Sequence, residues 1–308
     1  MRGAVRYRLD PTVPVEDEVG RVAGELLDDA VRRLRNEPAP SVDDIRKSRT
    51  ALKKFRSMLR LVAVDPPARA APPGRVARDA ARCLSAQRDQ AAITTTFEAL
   101  VPVLAGSVAP QTILRVRAGL LSSSAALRAT AHGAPVERSV ADDLDALALS
   151  TAMWSVDGDG FDALEDGLRS TYARGRDALA DLSASPDIEE LHELRKRVKD
   201  HWYQVRLLRE VWPPVLTAWA DEAHALAMQL GDDHDLSVLG AALSGEGPDL
   251  LGEDRPVVLG AIEERRADLL AGIRAGAGRI YADKPGAFTR RLRRWWAEAA
   301  GGVPWTAP

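Results

Sequence analysis

The chain has 308 residues, 45% of them hydrophobic and 5% aromatic, with a formal net charge of −3. That is apolar material for one large domain or two of ordinary size, and the abundance of Ala, Leu and Arg favours helices over sheets. The near-neutral total excludes a uniformly basic nucleic-acid binder, but the charge is unevenly spread: residues 45–62 hold seven cations and no acid, and local field follows such clustering.

The N-terminal run Met-Arg-Gly-Ala-Val-Arg-Tyr-Arg lacks the apolar centre of a signal peptide,. No segment approaches the roughly 20 apolar residues of a membrane span, so a cytoplasmic protein without membrane attachment is expected. Cys83 is the only cysteine. An intramolecular disulfide and a cysteine metal cluster are therefore excluded, and its apolar helical position predicts a buried side chain.

In chain order, helical periodicity begins near Val15, and Pro38 and Pro40 close the first helix,. Ser41 reads as the N-cap of the second, with Asp43 and Asp44 in its first turn. Its core face is Ile45, Leu52, Phe55, Leu59 and Val62. Four prolines between Asp65 and Gly74 mark a loop. Further helices are predicted over 75–100, 109–132 and 136–154. The pattern restarts after Asp157-Gly158-Asp159-Gly160, with helices over 161–183, 187–210, 214–243, 256–282 and 286–299. Ser185-Pro186 predicts a helix start with Ser as N-cap, and Leu191, Leu194, Val198, Val205 and Leu208 form the apolar face of the helix that follows. No alternating strand pattern of useful length occurs. The fold expected is all-α.

One pattern recurs. Arg46, Arg49, Lys53, Arg56 and Arg60 step by three and four residues, which places them on one side of a helix about 21 Å long,. At an offset of 146 stand His192, Arg195, Lys199, Trp202 and Arg206. The register continues: Arg78 matches His224, and Arg88-Asp89 matches His234-Asp235. An internal duplication explains this most simply, giving one domain over residues 7–298 with halves 7–156 and 157–298.

Like charges three and four residues apart on a helix repel, so a stripe of this kind needs neighbouring acids or a bound anion. Asp43 and Asp44 reach only its first turn. Arg offers phosphate a planar fork and Lys a mobile point charge, a mixture suited to a polyanion. Lys54, Lys196 and Tyr203 adjoin the stripes, and Arg82 with Arg78 lies on the following helix. His192 predicts pH-dependent affinity. Trp202 is expected against the core.

His234-Asp235, with His192, His224, Asp232 and Asp233, offers an alternative: a metal-dependent phosphohydrolase. Against it, the matching pair Arg88-Asp89 contains a residue that cannot ligate a metal. A nucleic-acid or acidic-protein scaffold is a third reading, weakened by the acidic total and by the lack of aromatics among the first-stripe cations. No Gly-rich phosphate loop, Ser/His/Asp motif or Cys-His pair is present, so neither catalytic residues nor a cofactor are expected.

The segments His192-Glu193-Leu194-Arg195-Lys196-Arg197-Val198-Lys199, Arg49-Thr50-Ala51-Leu52-Lys53-Lys54-Phe55-Arg56 and Leu230-Gly231-Asp232-Asp233-His234-Asp235 resemble the paired motifs of the CHAD family, a helical domain named for its histidines. The resemblance runs from about Tyr7 to Trp296. It implies two antiparallel helical bundles around a basic central groove or pore that binds inorganic polyphosphate, with action at polyphosphate granules. It implies phosphate contacts from Arg46, Arg49, Lys53, Lys54, Arg56, Arg60, Arg78, Arg82, Arg88, His192, Arg195, Lys196, Lys199, Tyr203, Arg206, His224 and His234. Some members carry a triphosphate-tunnel (CYTH) domain; its Glu-x-Glu-x-Lys signature is missing here, so a stand-alone, non-catalytic member is expected. The first-copy histidine position is Arg46, a departure that removes a titrating ring there but keeps a cation.

Overall fold

A computed structural model describes residues 5–65, 72–84, 89–130, 134–245 and 249–301. The expected all-α fold is found. Its helices are α1 (Val15–Leu34), α2 (Val42–Leu61), α3 (Pro73–Cys83), α4 (Asp89–Leu104), α5 (Pro110–Thr130), α6 (Ala134–Ser150), α7 (Asp162–Ala180), α8 (Ile188–Leu207), α9 (Pro213–Ser244), α10 (Arg255–Ile280) and α11 (Pro285–Ala299). The strands are a two-residue antiparallel pair, Val64–Asp65 with Ser155–Val156, that ties the loop after α2 to the segment before α7. No helix among the described residues is long and apolar enough to cross a membrane.

Helices α1, α2, α3 and α6 pack into one bundle, and α7, α8, α9, α10 and α11 into another. The two meet where α2 lies on α7 and α8. Close approach there is permitted by Gly167 of α7, where a Cβ would stand 2.1 Å from the Leu61 carbonyl oxygen. The stripe helices begin alike. Ser41 caps α2 in a reciprocal capping box with Asp44, and Asp187 caps α8 in the same way with Glu190,. Both helices have 20 residues, and their bounds differ by the same 146 positions as the sequence stripes. The expected cap at Ser41 is found. That at Ser185 is not: Asp187 takes the role, because its carboxylate accepts from the Glu190 N–H while Glu190 accepts from the Asp187 N–H.

Two further expectations are corrected. The helix predicted over 75–100 is two helices, α3 and α4, with residues 85–88 outside the described set. Helix α3 packs on α2 and α6, whereas α4 packs on α9 and α10 of the other bundle, so the two serve different parts of the core. Cys83 is exposed. The buried stripe of α3 is Pro73, Ala77 and Ala80, followed by Leu84, and Cys83 lies about 100° away from Leu84 around the helix. His132 and Arg88 lie outside the described residues.

The core faces expected on α8 are buried, and those on α2 are buried except that Leu59 is only partly covered. A deep part of the second bundle is aromatic. His201, 1% exposed, has ring centres of Tyr172, Tyr281 and Phe288 at 5.6 Å each and of Trp219 at 5.9 Å. Burial holds its imidazole down to about 3, so it is neutral in the folded protein at ordinary pH. The unfolded chain takes up this proton below about 6.5, which places a stability contribution fully present above that pH and lost progressively as pH falls toward 3. The slope is on the order of 1.4 kcal/mol per pH unit within that window. Denaturant titrations between pH 7 and 4 should therefore show a shallower loss of stability in His201→Phe than in the parent; parallel curves would contradict the buried neutral ring.

Candidate functional site

The α2–α8 crossing sets the geometry of the stripes. The Ser57 hydroxyl donates to the Asp200 carbonyl oxygen at 3.0 Å, and the Gln204 amide donates to Thr171 at 3.1 Å and to the Ser57 carbonyl at 3.4 Å. These contacts, buried from water, hold the C-terminal halves of α2 and α8 against each other. Arg60 then reaches Asp200 at 3.0 Å, with 34% and 12% of the two side chains exposed. The last cation of the first stripe thus has an acidic partner from the other bundle. Burial pushes the Asp200 carboxyl up, opposed by Arg60 and then by Arg197 and Arg56.

The position 146 residues from Arg60 is Arg206, and that 146 residues from Asp200 is Lys54. The charge reverses at this second contact. Lys54 Nζ stands 5.1 Å from the centre of the Tyr7 ring, and the Arg206 guanidinium 5.9 Å from the same ring. Burial, and then Arg206, bring the Lys54 ammonium down to about 8, against a smaller upward pull from Asp29. Where one side of the crossing pairs a cation with an acid, the other brings two cations together over an aromatic ring.

The predicted residues gather in groups along the two helices. Arg56 joins Arg60 and Arg78: burial pulls its guanidinium down, followed by Arg60, with Asp200 opposing and Arg78 adding to the effect. Around Arg206, Trp202 stacks on His224 with ring centres 4.3 Å apart, and the guanidinium lies 5.3 Å from the Trp202 ring centre, within reach of a cation–π interaction. Toward the start of α8, the rings of His192 and His234 are 5.7 Å apart. Burial, then Lys196 and His234, hold the His192 imidazole below its usual value. Arg195 runs along α9 at Gly231, where a Cβ would stand 3.4 Å from its Nη2. Arg46 and Arg49 line a cleft together with Asp232 and Asp235 of α9.

Other placements differ from expectation. Tyr203 is 5% exposed and edge-on to Tyr7 at 6.3 Å, so its ring belongs to the packing beneath the site. Trp202 packs against the core as expected, while its face is shared with His224. Arg46 pairs with Asp43 at 2.6 Å, Lys196 with Glu193 at 2.6 Å, and Arg82 with Asp79. Lys53 and Lys199 are half-buried on their helices. Sequence reasoning missed Tyr7, Asp29 and the pairing of Arg60 with Asp200. The sign reversal between Lys54 and Asp200 at the repeat offset was the available signal for the last of these. Among the described residues, no group of three or more His, Cys, Asp or Glu side chains is arranged to hold a metal ion.

Fold and site together define an all-α protein with cationic helices brought into contact between two bundles. A comparison with protein families matches the CHAD domain over residues 23–244, and the chain belongs to the CHAD family. Among solved structures it is similar to the CHAD domain from the plant Ricinus communis, with a TM-score of 0.61 at 19% identity, covering 90% of this chain and 96% of that one. That likeness shows the fold. No curated protein matches.

The crossing gives a stability test with opposite signs on its two sides. Removing Asp200 leaves Arg60, about a third exposed, without its acid, so Asp200→Ala should lower stability by about 1 kcal/mol. Lys54→Met removes a half-buried charge that faces another cation and should raise stability by about 1 kcal/mol. Urea unfolding of both variants reads this directly; equal and same-signed shifts would contradict the charge asymmetry.

Proposed function

We propose that this protein binds inorganic polyphosphate in a basic groove along α2 and α8, without catalysing a reaction on it, and that it acts at polyphosphate granules in the cytoplasm. The observation that carries the reading is that Lys54 and Arg206 both stand over the Tyr7 ring, near enough for Arg206 to lower the Lys54 ammonium. Two partly buried cations side by side are unfavourable in the free protein, and an anion held between them removes the penalty. Arg56, beside Arg60 and Arg78, supports the same reading on the other side of the crossing. Family membership supports it independently, because CHAD domains are associated with polyphosphate. A polymer rather than a single phosphate fits a row of cations spread over about 21 Å of helix.

In this reading Arg49, Lys53, Lys54, Arg56 and Arg60 contact one stretch of phosphates and Arg195, Lys199 and Arg206 another, with Arg78, His192, His224 and His234 at the margins. The repeated register of the two stripe helices reflects duplication of one bundle. His192 gains a proton as pH falls below its lowered value, and Lys54 loses one as pH rises through about 8, so affinity should be highest on the acid side and decline above pH 8.

Calorimetric titration with long-chain polyphosphate tests the proposal. Affinity should fall roughly a hundredfold or more between 50 and 200 mM salt, by counterion release as on nucleic acids, and should exceed that for double-stranded DNA in direct competition. Charge reversal of Arg49 with Lys53, or of Arg195 with Lys199, should weaken it strongly. Salt-independent binding, affinity equal to that for orthophosphate, or indifference to both reversals would overturn the reading. Phosphate release that needs a divalent ion and is lost in His234→Ala would replace it with a phosphohydrolase.

A further inference from the structure

Helices α2, α4, α9 and α10 enclose a cleft of about 550 Å³, within the size range of sites that hold small organic molecules. Arg46 and Arg49, the first cations of the α2 stripe, stand in its lining, and Arg265 joins them from α10. Beyond these cations the walls are mainly aliphatic, built by Ile45, Leu84, Leu100, Val103 and Leu236. Asp232 and Asp235 stand on the α9 side, and Thr95, Thr96 and Ala99 on the α4 side.

This lining does not suit a bare phosphate chain. Moving a strongly hydrated anion against aliphatic walls costs solvation with nothing gained in return, and two carboxylates would repel it. An acyl chain would suit the walls but would set methylene groups against both carboxylates and gain nothing from them. A flat heterocycle bearing amino groups satisfies both sets: its faces lie on Ile45, Leu100 and Leu236, and its N–H groups donate to the carboxylates. Burial, followed by Asp235 beside it, pushes the Asp232 carboxyl up, with Arg265 and Arg195 opposing; this is the response of an acid that faces apolar surroundings at a cationic rim.

We infer that the cleft holds the base and sugar of a nucleotide whose phosphates run onto Arg46 and Arg49, so that the protein takes nucleoside polyphosphates as well as bare phosphate chains. The inference rests on the polyphosphate reading, since the phosphates use the end of the same stripe, but its determinants are separate residues.

The test compares ATP, inosine triphosphate and inorganic tripolyphosphate as ligands of the full chain, in EDTA at fixed ionic strength. ATP should bind about tenfold more tightly than tripolyphosphate, a difference of about 1.4 kcal/mol, and more tightly than inosine triphosphate, which lacks the amino group. Ala99→Trp and Thr96→Trp each place an indole in the cleft and should bring ATP down to the tripolyphosphate level while leaving tripolyphosphate unchanged. Asp235→Asn should narrow the gap between ATP and inosine triphosphate. ATP binding no better than tripolyphosphate, or an ATP advantage that survives in both tryptophan variants, overturns the inference and leaves the polyphosphate reading standing. Failure of tripolyphosphate and longer chains to bind at all overturns both.

Discussion

Where α2 meets α8, the Ser57 hydroxyl holds the Asp200 carbonyl, Gln204 bridges Ser57 to Thr171, and Arg60 reaches the Asp200 carboxylate. The position of each cation in the two stripes follows from this contact. Each stripe is rigid within its own helix, because a helix fixes the angle between residues three and four apart. What the helix cannot fix is how one stripe stands relative to the other, and the crossing does that. The close approach at Gly167, which lets the α2 C-terminus touch α7, serves the same end.

The two sides of the crossing are built differently, and the proposed function gives the difference a sense. Arg60 is paired with an acid from across the interface and ties the bundles together, with about a third of its side chain still exposed. Lys54 and Arg206 are left facing one another over Tyr7 and Trp202, a costly arrangement that persists in many binding sites because the ligand removes the strain. The α8 side is further distinguished by His192, His224 and His234, whose rings lie against one another or against Trp202. Each wall therefore mixes fixed guanidinium charge with one group held below its usual value, Lys54 on α2 and His192 on α8.

Much of this was legible in the sequence because it depends on local rules. Steps of three and four residues defined both stripes, the core faces of α2 and α8 followed from apolar spacing, and Ser41 stood out as an N-cap with acids in the turn after it. The features that were not legible depend on which elements meet. No breaker residue told α3 and α4 apart; what distinguishes them is that α3 packs on α2 and α6 and α4 on α9 and α10. Cys83 sits one residue from the buried Leu84, so a small error in helical phase exchanges inside for outside. Asp187 replaced Ser185 as a cap because both residues are good caps and the choice rests on where Glu190 falls. Tyr203 read as a ligand-facing aromatic because it adjoins the stripe, but the partner that buries it, Tyr7, lies far away in the chain.

The central claim is that cations from both bundles grip one anion chain rather than two. Binding stoichiometry in calorimetry, with polyphosphate long enough to span both helices, tests this most directly when read on the parent and on Lys53→Glu. A single chain per protein, with the whole isotherm weakened by a change on α2 alone, is the result expected. Two independent binding events, one of them untouched by Lys53→Glu, would contradict it.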